Sequence, residues 1–126
     1  MDVTHEPLIA VVDDDMSFRE ALVGMMGAFG YHAEAHASGH DVLGSDKLGR
    51  FSAFVLDMQM PEMSGLELQR RIRERGLVTP IIFVTGSRDR TVKAKAAALG
   101  ATAMLDKPFD GDELIACLDA VLKPAA

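Results

Sequence analysis

Leu8-Ile9-Ala10-Val11-Val12-Asp13-Asp14-Asp15 decides the fold. Five apolar residues in a row, rich in branched side chains, are too short for a helix and have the length of a strand. The absence of polar alternation predicts a strand covered on both faces, as in a parallel sheet. The abrupt change to three aspartates marks where that strand ends. Phe54-Val55-Leu56 and Ile81-Ile82-Phe83-Val84 repeat the pattern, and Ala103-Met104-Leu105 is a weaker copy. His32 to His36 takes its place as a strand from its position in the alternation.

Helices are expected between these runs. Phe18, Ala21, Leu22, Met25, Met26 and Phe29 recur at helical spacing and form one apolar stripe. Ser17 and Glu20 have capping-box spacing at its start, and Gly30 suits its end. Ser64 and Glu67 repeat the box ahead of Leu68 and Ile72, with Gly76 after the last turn. Thr91 to Leu99 is alanine-rich and is followed by Gly100. Asp110 and Glu113 open a last helix whose face is Leu114, Ile115, Leu118, Val121 and Leu122, and residues 39–48 are expected to form a helix as well. Five β-α units in succession predict an α/β fold, a doubly wound parallel sheet with helices on both faces joined by right-handed crossovers. No repeat or linker interrupts residues 1–126, so a single domain with a core from about 8 to 122 is expected.

Composition narrows the classes. The chain has 126 residues, 48% of them hydrophobic and 25% charged, the balance of a globular protein. A net charge of −6 argues against broad nucleic-acid binding by this chain. Cys117 is the lone cysteine and reads as a buried, inert thiol. No apolar run reaches the length of a membrane span and residues 1–7 lack a secretory pattern, so a cytoplasmic location is expected. His32, His36 and His40 are four apart, but a strand at 32–36 breaks any helical alignment and no metal spacing follows. Most of the eight methionines read as core, with Met58, Met60 and Met63 partly exposed around the loop after Asp57.

In an open parallel sheet, ligands bind beyond the carboxyl ends of the strands. Here those ends carry Asp13-Asp14-Asp15, Asp57, Thr85-Gly86 and Asp106-Lys107-Pro108. An acidic triplet alone is most often a solvated loop or a helix start, and a single Lys-Pro or Thr-Gly is most often a turn. Their joint occurrence at successive strand ends points to one site. Carboxylates gathered there repel unless a hard cation neutralises them, and magnesium suits a site that offers only a few oxygens. Lys107 adds a mobile positive charge suited to a phosphoryl oxygen, and Thr85 a hydroxyl donor.

The blocks Val11-Val12-Asp13-Asp14-Asp15, Leu56-Asp57-Met58-Gln59-Met60-Pro61-Glu62-Met63-Ser64-Gly65, Val84-Thr85-Gly86 and Asp106-Lys107-Pro108-Phe109 resemble the signature motifs of response-regulator receiver domains. The similarity runs from about Leu8 to Leu122 in the family's order and spacing. It implies a flavodoxin-like sheet of order 2-1-3-4-5 with five helices. It also implies a signalling switch rather than a turnover enzyme, in which Asp57 accepts a phosphoryl group from a sensor histidine kinase or phosphotransfer protein. By the resemblance, Asp14 and Asp57 hold magnesium directly, with manganese able to substitute. The Gln59 backbone carbonyl supplies a third ligand and Asp13 acts through water. Lys107 and Gly86 contact the phosphoryl group, and a cis peptide before Pro108 aims Lys107 into the site. Thr85 couples to a switch position that is usually aromatic and here is Met104, which reads as a core filler. Gln59 and Ser87 tune phosphoryl lifetime.

Arg88, Arg90, Lys93 and Lys95 concentrate positive charge near the fourth helix, either as a solvated helix face or as part of the face of fourth helix, fifth strand and fifth helix that the resemblance implies for homodimers or effectors. Phe18 and Arg19 on the first helix offer a kinase-facing surface, with Phe18 expected in the core. Three rival classes are weaker. An aspartyl phosphatase of the haloacid-dehalogenase type needs an acid two residues after its nucleophile, where Gln59 stands. A flavin or nucleotide binder needs a glycine-rich loop where three aspartates stand. A degenerate receiver acting only as a binding module conflicts with a full set of pocket residues.

Overall fold

In the computed structural model, which describes residues 7–86 and 90–122, each apolar run becomes a strand. The strands are β1 (Leu8–Val12), β2 (His32–His36), β3 (Ala53–Asp57), β4 (Ile81–Thr85) and β5 (Ala103–Asp106). All pair in parallel, in the order β2-β1-β3-β4-β5. The helices are α1 (Met16–Ala28), α2 (Gly39–Leu43), α3 (Gly65–Glu74), α4 (Arg90–Ala98) and α5 (Gly111–Leu122). Ser87, Arg88 and His5 lie outside the described residues.

The sheet separates two apolar layers. On one face Ala10, Val12, Phe54, Leu56, Ile81 and Phe83 pack against Val42 and Leu43 of α2, Leu68 and Ile72 of α3 and Ala96 of α4. On the other, Ile9, Val11, Val55, Ile82 and Val84 meet Leu22 and Met26 of α1 and Leu114, Ile115 and Leu118 of α5. Successive strand residues therefore feed opposite layers, and burial of each large side chain contributes about 1.5–3 kcal/mol. The central strands β3 and β4 are buried along their whole length, whereas β2 and β5 are edge strands with exposed positions. Edge placement explains why those two runs are the faintest in the sequence.

Local capping differs from expectation at α1. Its N-cap is Asp15, whose side chain accepts from the Phe18 N–H at 3.2 Å, so the Ser17–Glu20 box does not start the helix. Asp15 wins because β1 must turn out of the sheet at once, and a short carboxylate caps a helix well. At α3 the expected cap holds: Ser64 Oγ accepts from Glu67 N–H at 3.1 Å. Gly30, Gly76 and Gly100 end α1, α3 and α4 with positive φ of 89°, 80° and 91°. The helix expected over 39–48 stops at Leu43. Gly44, Ser45 and Asp46 favour turns over helix, Ser45 Oγ accepts from Lys47 N–H at 3.1 Å, and a separate 3-10 turn spans Leu48–Arg50.

Candidate phosphoryl and metal site

Parallel pairing aligns the carboxyl ends of β1, β3, β4 and β5. Asp57 ends β3 in register with Val84, and Thr85 ends β4 in register with Asp106. Asp13 follows β1, where its N–H is held by the His36 carbonyl at 3.1 Å. Asp13 and Asp57 are buried, at 1% and 6% exposure, and Asp14 is exposed. One carboxylate oxygen from each of Asp13, Asp14 and Asp57 lies within 4.8 Å of the others. Hard oxygens at that spacing, one pair buried and one open to solvent, fit a hard divalent cation that keeps some water.

Lys107 reaches the same place. Its Nζ lies 3.4 Å from Asp13 Oδ2 and 3.6 Å from Asp57 Oδ1, and the Lys107–Pro108 peptide is cis. Burial, then the neighbouring Asp13 charge, pushes the Asp57 carboxyl up from 3.8 to about 6. Lys107 and the Gln59 N–H, which donates to Asp57 Oδ1 at 3.3 Å, pull the other way, and Asp14 adds a smaller upward push. One amine does not balance three carboxylates. The cluster is short of positive charge.

The loop after Asp57 is pinned to the sheet. Gly65 N–H donates to the Met58 carbonyl at 2.9 Å, and Gly65 approaches so closely that a Cβ there would meet the Asp57 carbonyl oxygen at 2.3 Å. Glu62 in this loop has a positive φ of 67°. Met58 and Met63 are buried, contrary to expectation, because they plug the gap between sheet, α2 and α3; Met60 alone of the three is partly exposed. Gln59 is exposed, Thr85 is buried, and Gly86 is exposed at the tip of β4. Met104 is half-buried and packs on the layer that holds Phe83 and Ala96.

Several neighbours escaped the sequence reading. Arg19 Nη1 donates to the Asp13 carbonyl at 2.8 Å. Phe18 is half-buried against the edge of the core: its ring lies under the Lys107 amine, 4.2 Å from Nζ to centroid, and meets Phe109 edge-on at 6.0 Å. A stripe position three residues after Asp15 carries that information only once Asp15 is known to cap the helix. Lys93 pairs with Asp106 at 2.6 Å, while Arg90 and Lys95 stay exposed. Cys117 is half-buried rather than buried, and burial, then the Glu113 charge, raises its thiol pKa.

The response regulator receiver domain family matches residues 9–119. The chain belongs to that family. Among relatives, the response regulator protein TodT of Pseudomonas putida is 36% identical over 118 residues, which cover 94% of this chain and 52% of TodT. The transcriptional regulatory protein DltR of Streptococcus agalactiae is 37% identical over 108 residues, 86% of this chain and 48% of DltR. The receiver chain thus spans about half the length of these relatives. The chemotaxis protein CheY4 of Vibrio cholerae superposes with a TM-score of 0.86 at 31% identity, covering 94% of this receiver and all of CheY4. The BeF3-activated DrrB receiver domain gives 0.86 at 28% identity, covering 95% of this chain and all of that one. The order β2-β1-β3-β4-β5 is the one these flavodoxin-like relatives imply. Among the described residues, no helix is long and apolar enough to cross a membrane.

Proposed function

We propose that this receiver, acting as one unit, is the phosphorylation switch of a two-component system, with Asp57 as phosphoacceptor and a sensor histidine kinase or phosphotransfer protein as donor. The observation that carries the reading is the meeting of Asp13, Asp14, Asp57 and Lys107 at one sheet edge. A carboxylate oxygen of Asp57 attacks the phosphorus of a phosphohistidine. The new O–P bond forms as the P–N bond breaks, and the imidazole nitrogen takes the electron pair and then a proton.

Asp14 and Asp57, the Gln59 carbonyl and, through water, Asp13 would hold magnesium. Bound there, the ion would offset charge on the acceptor and on the transferring oxygens. Lys107 leaves its two carboxylates for a phosphoryl oxygen, and the Thr85 hydroxyl and Gly86 backbone take others. Gln59 and Ser87 would tune the lifetime of the phosphoryl group. The signal leaves through the face of α4, β5 and α5, where Arg90 and Lys95 are exposed, toward a second copy or an effector. Met104 follows Thr85 as a flexible filler.

Incubation with acetyl phosphate and magnesium, read by intact mass, tests this. Wild type gains one phosphoryl group, whereas Asp57→Ala and wild type with chelator gain none. Equal labelling of Asp57→Ala, or unlabelled wild type, refutes the assignment.

A further inference from the structure

The Lys107 amine sits among three neighbours, and only two are carboxylates. Charge-assisted bonds between ammonium and carboxylate close to about 2.7–2.9 Å. Here the amine donates to Asp13 Oδ2 at 3.4 Å and lies 3.6 Å from Asp57 Oδ1, so both pairings are longer than that. The third neighbour is the face of Phe18, 4.2 Å from Nζ to the ring centroid and well inside cation–π range.

That ring is held from two sides. The Phe18 N–H donates to the Asp15 cap at 3.2 Å, which ties the residue to the first turn of α1. Phe109 meets the ring edge-on, with an interplanar angle of 87°. Phe109 follows Lys107 by two residues, so the loop after β5 and the start of α1 close on the amine together. A purely packing role at this place would be served as well by leucine, which has no ring quadrupole.

We propose that Phe18 is a positioning residue for Lys107, its ring face holding the ammonium at the mouth of the site so that it can pivot from Asp13 and Asp57 to an incoming phosphoryl oxygen. Attraction to a ring face is weakly directional, so the pivot keeps it. The flexible four-carbon stem otherwise spreads the charge over many rotamers, and the ring narrows that spread. The inference rests on Asp57 being the phosphoacceptor.

The test is the rate of phosphorylation by acetyl phosphate at saturating magnesium. Phe18→Leu is expected to lower it about fivefold, the loss of a partly desolvated cation–π contact. Phe18→Tyr keeps the ring and most of the rate. In a Lys107→Ala background, Phe18→Leu changes nothing further. Thermal unfolding of each variant confirms that the fold is intact. The Lys107 ε-methylene protons, shifted upfield by the ring in wild type and not in Phe18→Leu, report the contact without any phosphorylation. Equal rates for wild type and Phe18→Leu overturn the proposal, as does a Tyr variant as slow as Leu, a fivefold loss that persists without Lys107, or the absence of the upfield shift. Wild type that takes up no phosphoryl group at all sinks the acceptor assignment instead, and the positioning role falls with it.

Discussion

Replacing Asp57 by Asn should stabilise the metal-free protein at alkaline pH. The Asp57 carboxyl is pushed up from 3.8 to about 6, first by burial and then by Asp13. The folded state therefore prefers the protonated acid more than the unfolded chain does. The stability that this preference contributes is complete below about pH 4 and is lost as pH rises through 6. A shift of about two pH units corresponds to about 3 kcal/mol, and the open side of the cleft screens part of it, leaving about 1–3 kcal/mol. Asn carries no charge, and its amide donates where a carboxylate can only accept. Urea unfolding in chelator at pH 4, 6 and 8 should show Asp57→Asn ahead by about 1–3 kcal/mol at pH 8 and level with wild type at pH 4. Magnesium should close the gap at pH 8 by stabilising wild type. Parallel pH curves for the two proteins, or a less stable Asn variant at pH 8, would refute the argument that the acidic cluster is under-neutralised.

Gly65→Ala should cost about 2–3 kcal/mol in urea unfolding, because its Cβ would stand 2.3 Å from the Asp57 carbonyl oxygen and 2.9 Å from Met58 Cα, both backbone atoms that cannot step aside. Gln69 is buried, donates to the Ala96 carbonyl at 3.0 Å and has a side-chain oxygen without a partner among the described residues. Since Ala101 N–H also bonds that carbonyl at 3.0 Å, Gln69→Met should stay within about 1 kcal/mol of wild type, while Gln69→Ala leaves a cavity and loses about 2 kcal/mol or more. Asp15→Ala should cost about 1 kcal/mol through the lost α1 cap, whereas Ser17→Ala should change stability by a few tenths at most.

The sheet was legible because β1, β3 and β4 are covered on both faces and so carry unbroken apolar runs. Strand ends were legible too, since polar residues appear where the cover stops, and three such ends, those of β1, β3 and β5, hold the acidic cluster and Lys107. Helix lengths were harder. Residues 39–48 contain enough apolar positions to suggest one helix, yet Gly44, Ser45 and Asp46 make local turns that periodicity does not weigh. Side chains that cross between elements were the least visible. Phe18 sits on an apolar stripe and reads as core until α5's approach brings Phe109 against it. Gln69 and Arg73 of α3 drew no reading from the sequence, yet α4 packs over Gln69, and Arg73 donates to the Thr79 and Gly100 carbonyls at 2.8 and 3.0 Å. Such contacts depend on how two helices dock, which no single helix's spacing encodes.

An acyl phosphate is reduced by borohydride, and the chemistry leaves a homoserine at the position that carried it. After incubation with acetyl phosphate and magnesium, reduction followed by peptide mass mapping should find homoserine at position 57 alone. Homoserine at position 13 or 14, or none in a protein that had gained a phosphoryl group, would contradict the account.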